Sequence, residues 1–290
     1  MKASNAKKSI LIVWVILITN LVMAQDKPAY IVYNARGKKV SYAKMLAAIK
    51  PKDIVLFGEF HNNPIAHWLQ LELTKDLGQK RKLILGAEMF EQDNQEALNA
   101  YLQGKISAKQ LDSSARLWSN YKTDYAPLVN YARDNKLVFV ASNVPRKYAS
   151  MVSKTGFAVL DSLNEKEKDW MVPLPILYDA SLPGYVKMLE MMPGHNNAAN
   201  FPKAQALKDA TMAYFILKSF VPGSLFIHFN GAYHSENYEG ILWYLKRAQP
   251  ALHYASITTV LQKDLSFLLP ENKGKADFII CIDEDMTTTY

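Results

Sequence analysis

The sequence predicts an α/β fold, a mostly parallel sheet flanked by helices with a helical insertion or subdomain. Three observations carry this expectation. Short apolar runs bounded by turn residues alternate with segments of helical period. Two of those runs end in the same signature, Gly58-Glu59-Phe60-His61 and Gly231-Ala232-Tyr233-His234. The alternation lapses over about residues 142–224, where prolines recur and no strand pattern is found.

At the start, Lys2, Lys7 and Lys8 precede an unbroken apolar run from Ile10 to Ile18. Val22 and Ala24 then stand at the small-residue positions before Gln25. This is the pattern of a cleaved secretory signal over residues 1–24, and the apolar run is short for a membrane span. Export to the periplasm or cell envelope is expected. A lipid anchor on an N-terminal cysteine is not, because Gln25 occupies that place. The remaining stretch, 25–290, is about 266 residues, which suits one α/β domain with an insertion.

Tyr30-Ile31-Val32-Tyr33 followed by Asn34-Ala35-Arg36-Gly37 reads as a small hairpin with a glycine turn. Strands are expected at 54–57, 83–88, 137–141, 225–230, 254–260 and 277–282. Helices are expected at 42–49, 65–77, 92–103, 125–135, 204–219 and 239–247, with Pro64 at a first-turn position. Within the insertion, Ser162 to Glu165 fits a capping box. The 104–124 stretch, with Trp118, Tyr121 and Tyr125, is expected to join these helices.

Nearly half the chain is apolar, at 49%, so a sizeable core is available. The formal charge is +7, of which the leader lysines supply three, and there is no Lys/Arg block. No nucleic-acid partner is expected from that distribution. The single cysteine, Cys281, sits in the apolar run 278–282 and reads as a buried, inert thiol without an intrachain disulfide.

The chemistry concentrates at strand ends. In an open α/β sheet, ligands bind beyond the carboxyl ends of the strands. His61 follows the strand at 54–57, Glu88 ends the strand at 83–88, and His234 follows the strand at 225–230. The glycine of each signature is expected to allow a tight turn as the backbone leaves the sheet. Two imidazoles and a carboxylate form a metal set or an acid/base set, so His61, Glu88 and His234 are candidates for both, with Glu59 beside them. Glu59 is open to three roles: a ligand, a partner fixing a histidine tautomer, or a helix cap. His67 and His228 read as structural. Asn143 is a fourth polar strand end, and Arg146 after it either balances an anion or is solvated.

In the insertion, Tyr185, Met188, Leu189 and Met192 recur at helical spacing, with Met191 adjoining and Gly194-His195 following. Such a stripe is core packing or a haem-contacting surface, since Tyr, Met and His all ligate haem iron. Covalent c-type attachment is excluded because no CxxCH motif occurs.

With these residues in place, the chain resembles the ChaN-type haem-binding uptake proteins of the wider Tiki and erythromycin-esterase-like superfamily. The resemblance rests on Leu56 to His61, Gly86-Ala87-Glu88-Met89-Phe90, Ala141 to Arg146, Asp209 to Ala213 and Asn230 to Ser235. It implies an α/β fold and a site at His61, Glu88 and His234 with Glu59. It also implies haem bound at the iron by tyrosine, with Tyr185 and Tyr233 as the candidates here, and a homodimer around the cofactor. An exported haem-binding protein that works with outer-membrane uptake machinery is the first expectation. The alternative is a peptidase or esterase using Zn, Mn or Co at His61, Glu88 and His234, or using His61 directly on water.

Overall fold

The chain is seen in a computed structural model that describes residues 27–194 and 196–290. The expected leader and His195 lie outside the described residues. One eight-stranded sheet organises the fold, with strand order β2-β1-β8-β7-β3-β6-β4-β5. The strands are β1 (Tyr30–Asn34), β2 (Lys39–Val40), β3 (Ile54–Glu59), β4 (Leu83–Glu91), β5 (Val138–Asn143), β6 (Leu225–Gly231), β7 (Tyr254–Gln262) and β8 (Phe278–Asp283). β1 and β2 form an antiparallel hairpin, and β1 also runs antiparallel to β8. The other neighbours are parallel. Gly37 takes a positive φ of 75° in the hairpin turn, where glycine costs nothing sterically.

The helices are α1 (Tyr42–Ile49), α2 (Pro64–Gly78), α3 (Gln95–Leu102), α4 (Ala108–Ser114), α5 (Ala126–Asp134), α6 (Arg146–Thr155), α7 (Glu165–Lys168), α8 (Pro183–Glu190), α9 (Phe201–Ser219) and α10 (Ile241–Ala248). α2 begins as its sequence dictates: Asn63 accepts from the Ala66 N–H and Pro64 follows in the first turn. The capping box of α7 falls at Asn164 and Glu167, two residues beyond the expected Ser162. Ser162 closes a preceding 3-10 turn instead, donating to the Val159 carbonyl.

β3 and β6 are buried along their whole length, which is why they read as unbroken apolar runs. Alternate residues serve opposite faces. Val55, Phe57, Ile227 and Phe229 pack with Met45, Leu69, Leu73 and Val129 from α1, α2 and α5. Ile54, Leu56 and Phe226 pack with Met212 and Ile216 of α9 and Leu242 and Leu245 of α10. Residues 144–171 build a separate cluster against Ala204 and Leu207 of α9. Tyr121 and Tyr125 belong to the first of these cores, with Trp118 against it, rather than to the 144–171 cluster they were expected to join. Their rings reach the sheet core, where apolar area was available to cover them. Cys281 is fully buried in β8, and burial pushes its thiol up to about 11.

The strand order positions the site. β6 is inserted between β3 and β4, so strands from three parts of the chain present their carboxyl ends side by side. That is the crevice where a parallel sheet of this kind accepts ligands.

Candidate functional site

Glu59 ends β3, opposite Gly231 in the parallel register with β6. It is buried, and its Oε1 accepts from His61 Nδ1 at 2.9 Å and from the Tyr125 hydroxyl at 2.8 Å. Gln70 donates to the other oxygen. With Nδ1 committed to Glu59, Nε2 is the ring nitrogen of His61 left to face a ligand. Burial disfavours a charge on His61, but the Glu59 hydrogen bond and the charges of Glu88 and Glu59 outweigh it and raise its pKa. Trp118 packs edge-on against the ring at 4.7 Å.

Glu88 lies where the β4–β5 register slips between Ala87 and Glu91. Such irregularities re-aim side chains beside sites. Glu88 Oε2 accepts the Gly231 N–H at 2.7 Å, and Oε1 is 3.1 Å from His234 Nε2. His234 Nδ1 donates to Asp209 Oδ1 at 2.5 Å. The imidazole is thus held between two buried carboxylates. Burial alone would lower its pKa, yet Glu88 and Asp209 raise it well above the usual range. Glu88 moves the other way: burial opposes its charge, and the His234 cation holds it far below ordinary carboxylates.

The glycines answer to close approach rather than to turn geometry. Gly231 has φ −56°, which any residue adopts. A Cβ there would meet His61 Nε2 at 2.8 Å and Glu88 Oε2 at 3.4 Å. A Cβ on Gly58 would meet the Ala232 backbone at 2.9 Å. Both signatures need glycine because the two turns pack against each other. His61, Glu88 and His234 therefore line one chamber of about 660 Å³, together with Asn143, Arg146 and Lys208. A second cavity of about 630 Å³ adjoins it, walled by Met188, Met191, Met192, Phe201 and Ala204. Arg146 and Lys208 line both.

Residues 45–245 match the family described as haem-binding uptake, Tiki superfamily, ChaN. The chain belongs to that family. A solved structure titled for cofacial haem binding to ChaN of Campylobacter jejuni superposes with a TM-score of 0.67 at 16% identity, covering 89% of this chain and 99% of that one. At that identity the likeness concerns the fold. A curated relative, Protein RETICULATA-RELATED 5, chloroplastic, of Arabidopsis thaliana, is 30% identical over 146 residues, 48% of this chain. The match spans 19% of that plant protein's length.

In this ChaN-family chain the candidate cofactor contacts divide. Met188 and Met192 wall the second cavity, as does Tyr233. Tyr185 does not: it is buried, stacked on Tyr178 at 5.6 Å, with its hydroxyl 3.4 Å from Asp209. Tyr233 donates its hydroxyl to the Gly184 carbonyl at 2.6 Å, and burial pushes it up to about 12. Both tyrosine hydroxyls are thus engaged by protein groups, while Met188 and Met192 line the cavity. His195 falls outside the described residues.

Among the described residues no group of three His, Cys, Asp or Glu side chains, including His61, Glu88 and His234, is placed to hold an ion. Both nitrogens of His234 are engaged by carboxylates, whereas His61 keeps Nε2 free of a protein partner. His67 supports the site from behind, its Nε2 lying 3.0 Å from the His61 carbonyl. His228 is buried and bridges Ser142 and Asn230, and burial lowers it to about 4, so it is neutral.

Sequence reasoning placed Asp209 only within a stretch that carries the family resemblance and did not assign it, Tyr125, Gln70 or Lys208 to the site. Asp209 did carry a signal, as an acid in the middle of α9 flanked by buried Leu207, Ala210 and Ala213. Tyr125 and Lys208 are remote in sequence from the strand ends, and Gln70, though only 11 residues after Glu59, has no spacing that marks it as its partner.

Proposed function

We propose that this chain is an exported haem-binding protein serving haem and iron uptake, with the porphyrin seated in the Met188–Met192 cavity beside the strand-end chamber. The cavity is the observation that carries this reading. Three thioethers and Phe201 give it a soft, apolar wall suited to a flat porphyrin face. Membership of a haem-binding uptake family supports it independently. Bound haem supplies iron with coordination positions that a thioether can occupy. The chain's own part is to cover the ring with Met188, Met191, Met192 and Phe201 and to hold the adjoining polar chamber in a fixed charge state.

Titrating haemin into the purified chain should give a saturable Soret shift at micromolar haem, weakened by Met188→Ala with Met192→Ala. An unsaturable spectrum identical to free haemin would contradict the reading. Export by the leader at 1–24 to the periplasm or cell envelope belongs to the same proposal, as do a homodimer around haem and hand-over from outer-membrane machinery. Cell fractionation and sedimentation with and without haem test these parts.

A second reading is favoured by one observation, the Glu59–His61 pair. A base oriented by a buried carboxylate, with its second nitrogen facing a chamber, is equipped to take a proton from water. On this reading the chain is a hydrolase of esters or peptides, with Glu88 and His234 as polar wall. Its rate would rise with pH through the raised pKa of His61, survive chelators and vanish in His61→Ala.

A further inference from the structure

We infer that Arg146, Lys208 and Asn143 form a carboxylate clamp where the chamber meets the Met-lined cavity, by which this chain selects a porphyrin for its free acid groups. The inference rests on the haem reading above and adds to it a determinant of specificity.

Arg146 and Lys208 are the cations common to both cavities. Neither forms an ion pair with a described residue, although most charges around them are paired. Arg116, in the same wall, is tied to Glu91 and Asp93. Glu88 is engaged by His234 and by the Gly231 N–H. Asp209, next to Lys208 in sequence, is bound to His234. Two positive charges without a direct ion pair therefore face a cleft whose acids already have partners, although Lys208 also acts on Asp209 at longer range.

Asn143 is the independent observation. It is 7% exposed, it lines the chamber, and its buried Oδ1 has no hydrogen-bond partner. A buried amide oxygen with no partner in the protein is a group that a ligand or a water completes. Because the amide's oxygen and nitrogen are interchangeable in assignment, the same side chain offers either an acceptor or an N–H donor to that ligand. Sequence links the set locally: Asn143 ends β5 and Arg146 opens α6. Lys208 comes from α9, across the cleft.

A ligand that lies with an apolar face on Met188, Met192 and Phe201 brings its edge to Arg146 and Lys208. If that edge carries carboxylates, the guanidinium can grip one as a two-pronged donor and the ammonium can add a second charge. The expected occupant is thus a flat apolar ring with acidic substituents.

The test compares haemin with its dimethyl ester, the same iron porphyrin with both acids blocked, each titrated by Soret absorbance. The chain should prefer the free acid by about tenfold or more, as expected for charge-assisted hydrogen bonds. Arg146→Gln with Lys208→Gln should erase the preference by weakening haemin while leaving the ester unchanged. Asn143→Asp should reverse it by adding a negative charge to the chamber wall. Arg146→Lys should retain part of it, which separates clamp loss from misfolding. Equal affinity of the wild-type chain for acid and ester overturns the clamp and leaves haem binding standing. A preference undiminished in the double variant also overturns it. Binding of neither form overturns the haem reading and the clamp with it.

Discussion

The two Gly-x-x-His turns share a motif and a place at neighbouring strand ends, yet they give their histidines different surroundings. His61 has one carboxylate behind it, Glu59, and its side chain is 32% exposed. His234 has carboxylates on both ring nitrogens and is 8% exposed. The first is open to the chamber through Nε2, whereas the second is locked as a cation between carboxylates. What separates them is not in either motif. Asp209 reaches His234 from α9, while Tyr125 and Gln70 reach Glu59 from other helices. A motif sets the turn, and neighbours from distant sequence set the chemistry.

The largest effect that tests this contrast is expected at His234. His234→Gln removes the cation between Glu88 and Asp209 and leaves two buried carboxylates facing each other. A loss of about 3–5 kcal/mol is expected, because breaking a buried pair strands its partners. The histidine's pKa is raised from 6.5 to about 10 on folding, so its contribution is full below 6.5 and is lost as pH rises towards 10. Urea unfolding of both proteins across that range should show the gap narrowing with pH. A gap that widens would reverse the assignment.

Gly231→Ala comes next, at about 1–3 kcal/mol for forcing a Cβ against His61 and Glu88. Thermal melts check it, and full wild-type stability would mean that the turns are not in contact. Glu59→Gln should then lower the pKa of His61, since Glu59 supplies the hydrogen bond and part of the charge that raise it. Proton NMR titration reads that shift directly. The smallest stability change is expected from His61→Ala, about 1 kcal/mol or less, because Glu59 keeps its bonds to Tyr125 and Gln70. A loss as large as that at His234 would erase the distinction between the two turns.

Much of the sheet was legible because its central strands are buried on both faces and so appear as short apolar runs between turns. The placement of Glu88 was legible for the same reason, as a carboxylate interrupting such a run. The purpose of the glycines was not, because close approach between two turns leaves no local mark distinct from a tight bend. The Tyr185 stripe misled in part: Tyr185 turns to Asp209 and Tyr178, while Met188 and Met192 of the same stripe face the cavity. Helical spacing reports a shared face, and a face a few residues long can be half core and half cleft. Lys208 left no trace, being one lysine among many until α9 is placed across from Arg146.

The most direct test of the central contrast is nitrogen-15 NMR of the imidazole rings, followed from pH 5 to pH 9. His234 should remain a doubly protonated imidazolium throughout, and His61 should titrate at lower pH than His234 while keeping hydrogen on Nδ1. A His234 ring that is neutral at pH 7, or two rings that titrate together near 6.5, would contradict a strand-end site built from one locked cation and one histidine open to the chamber.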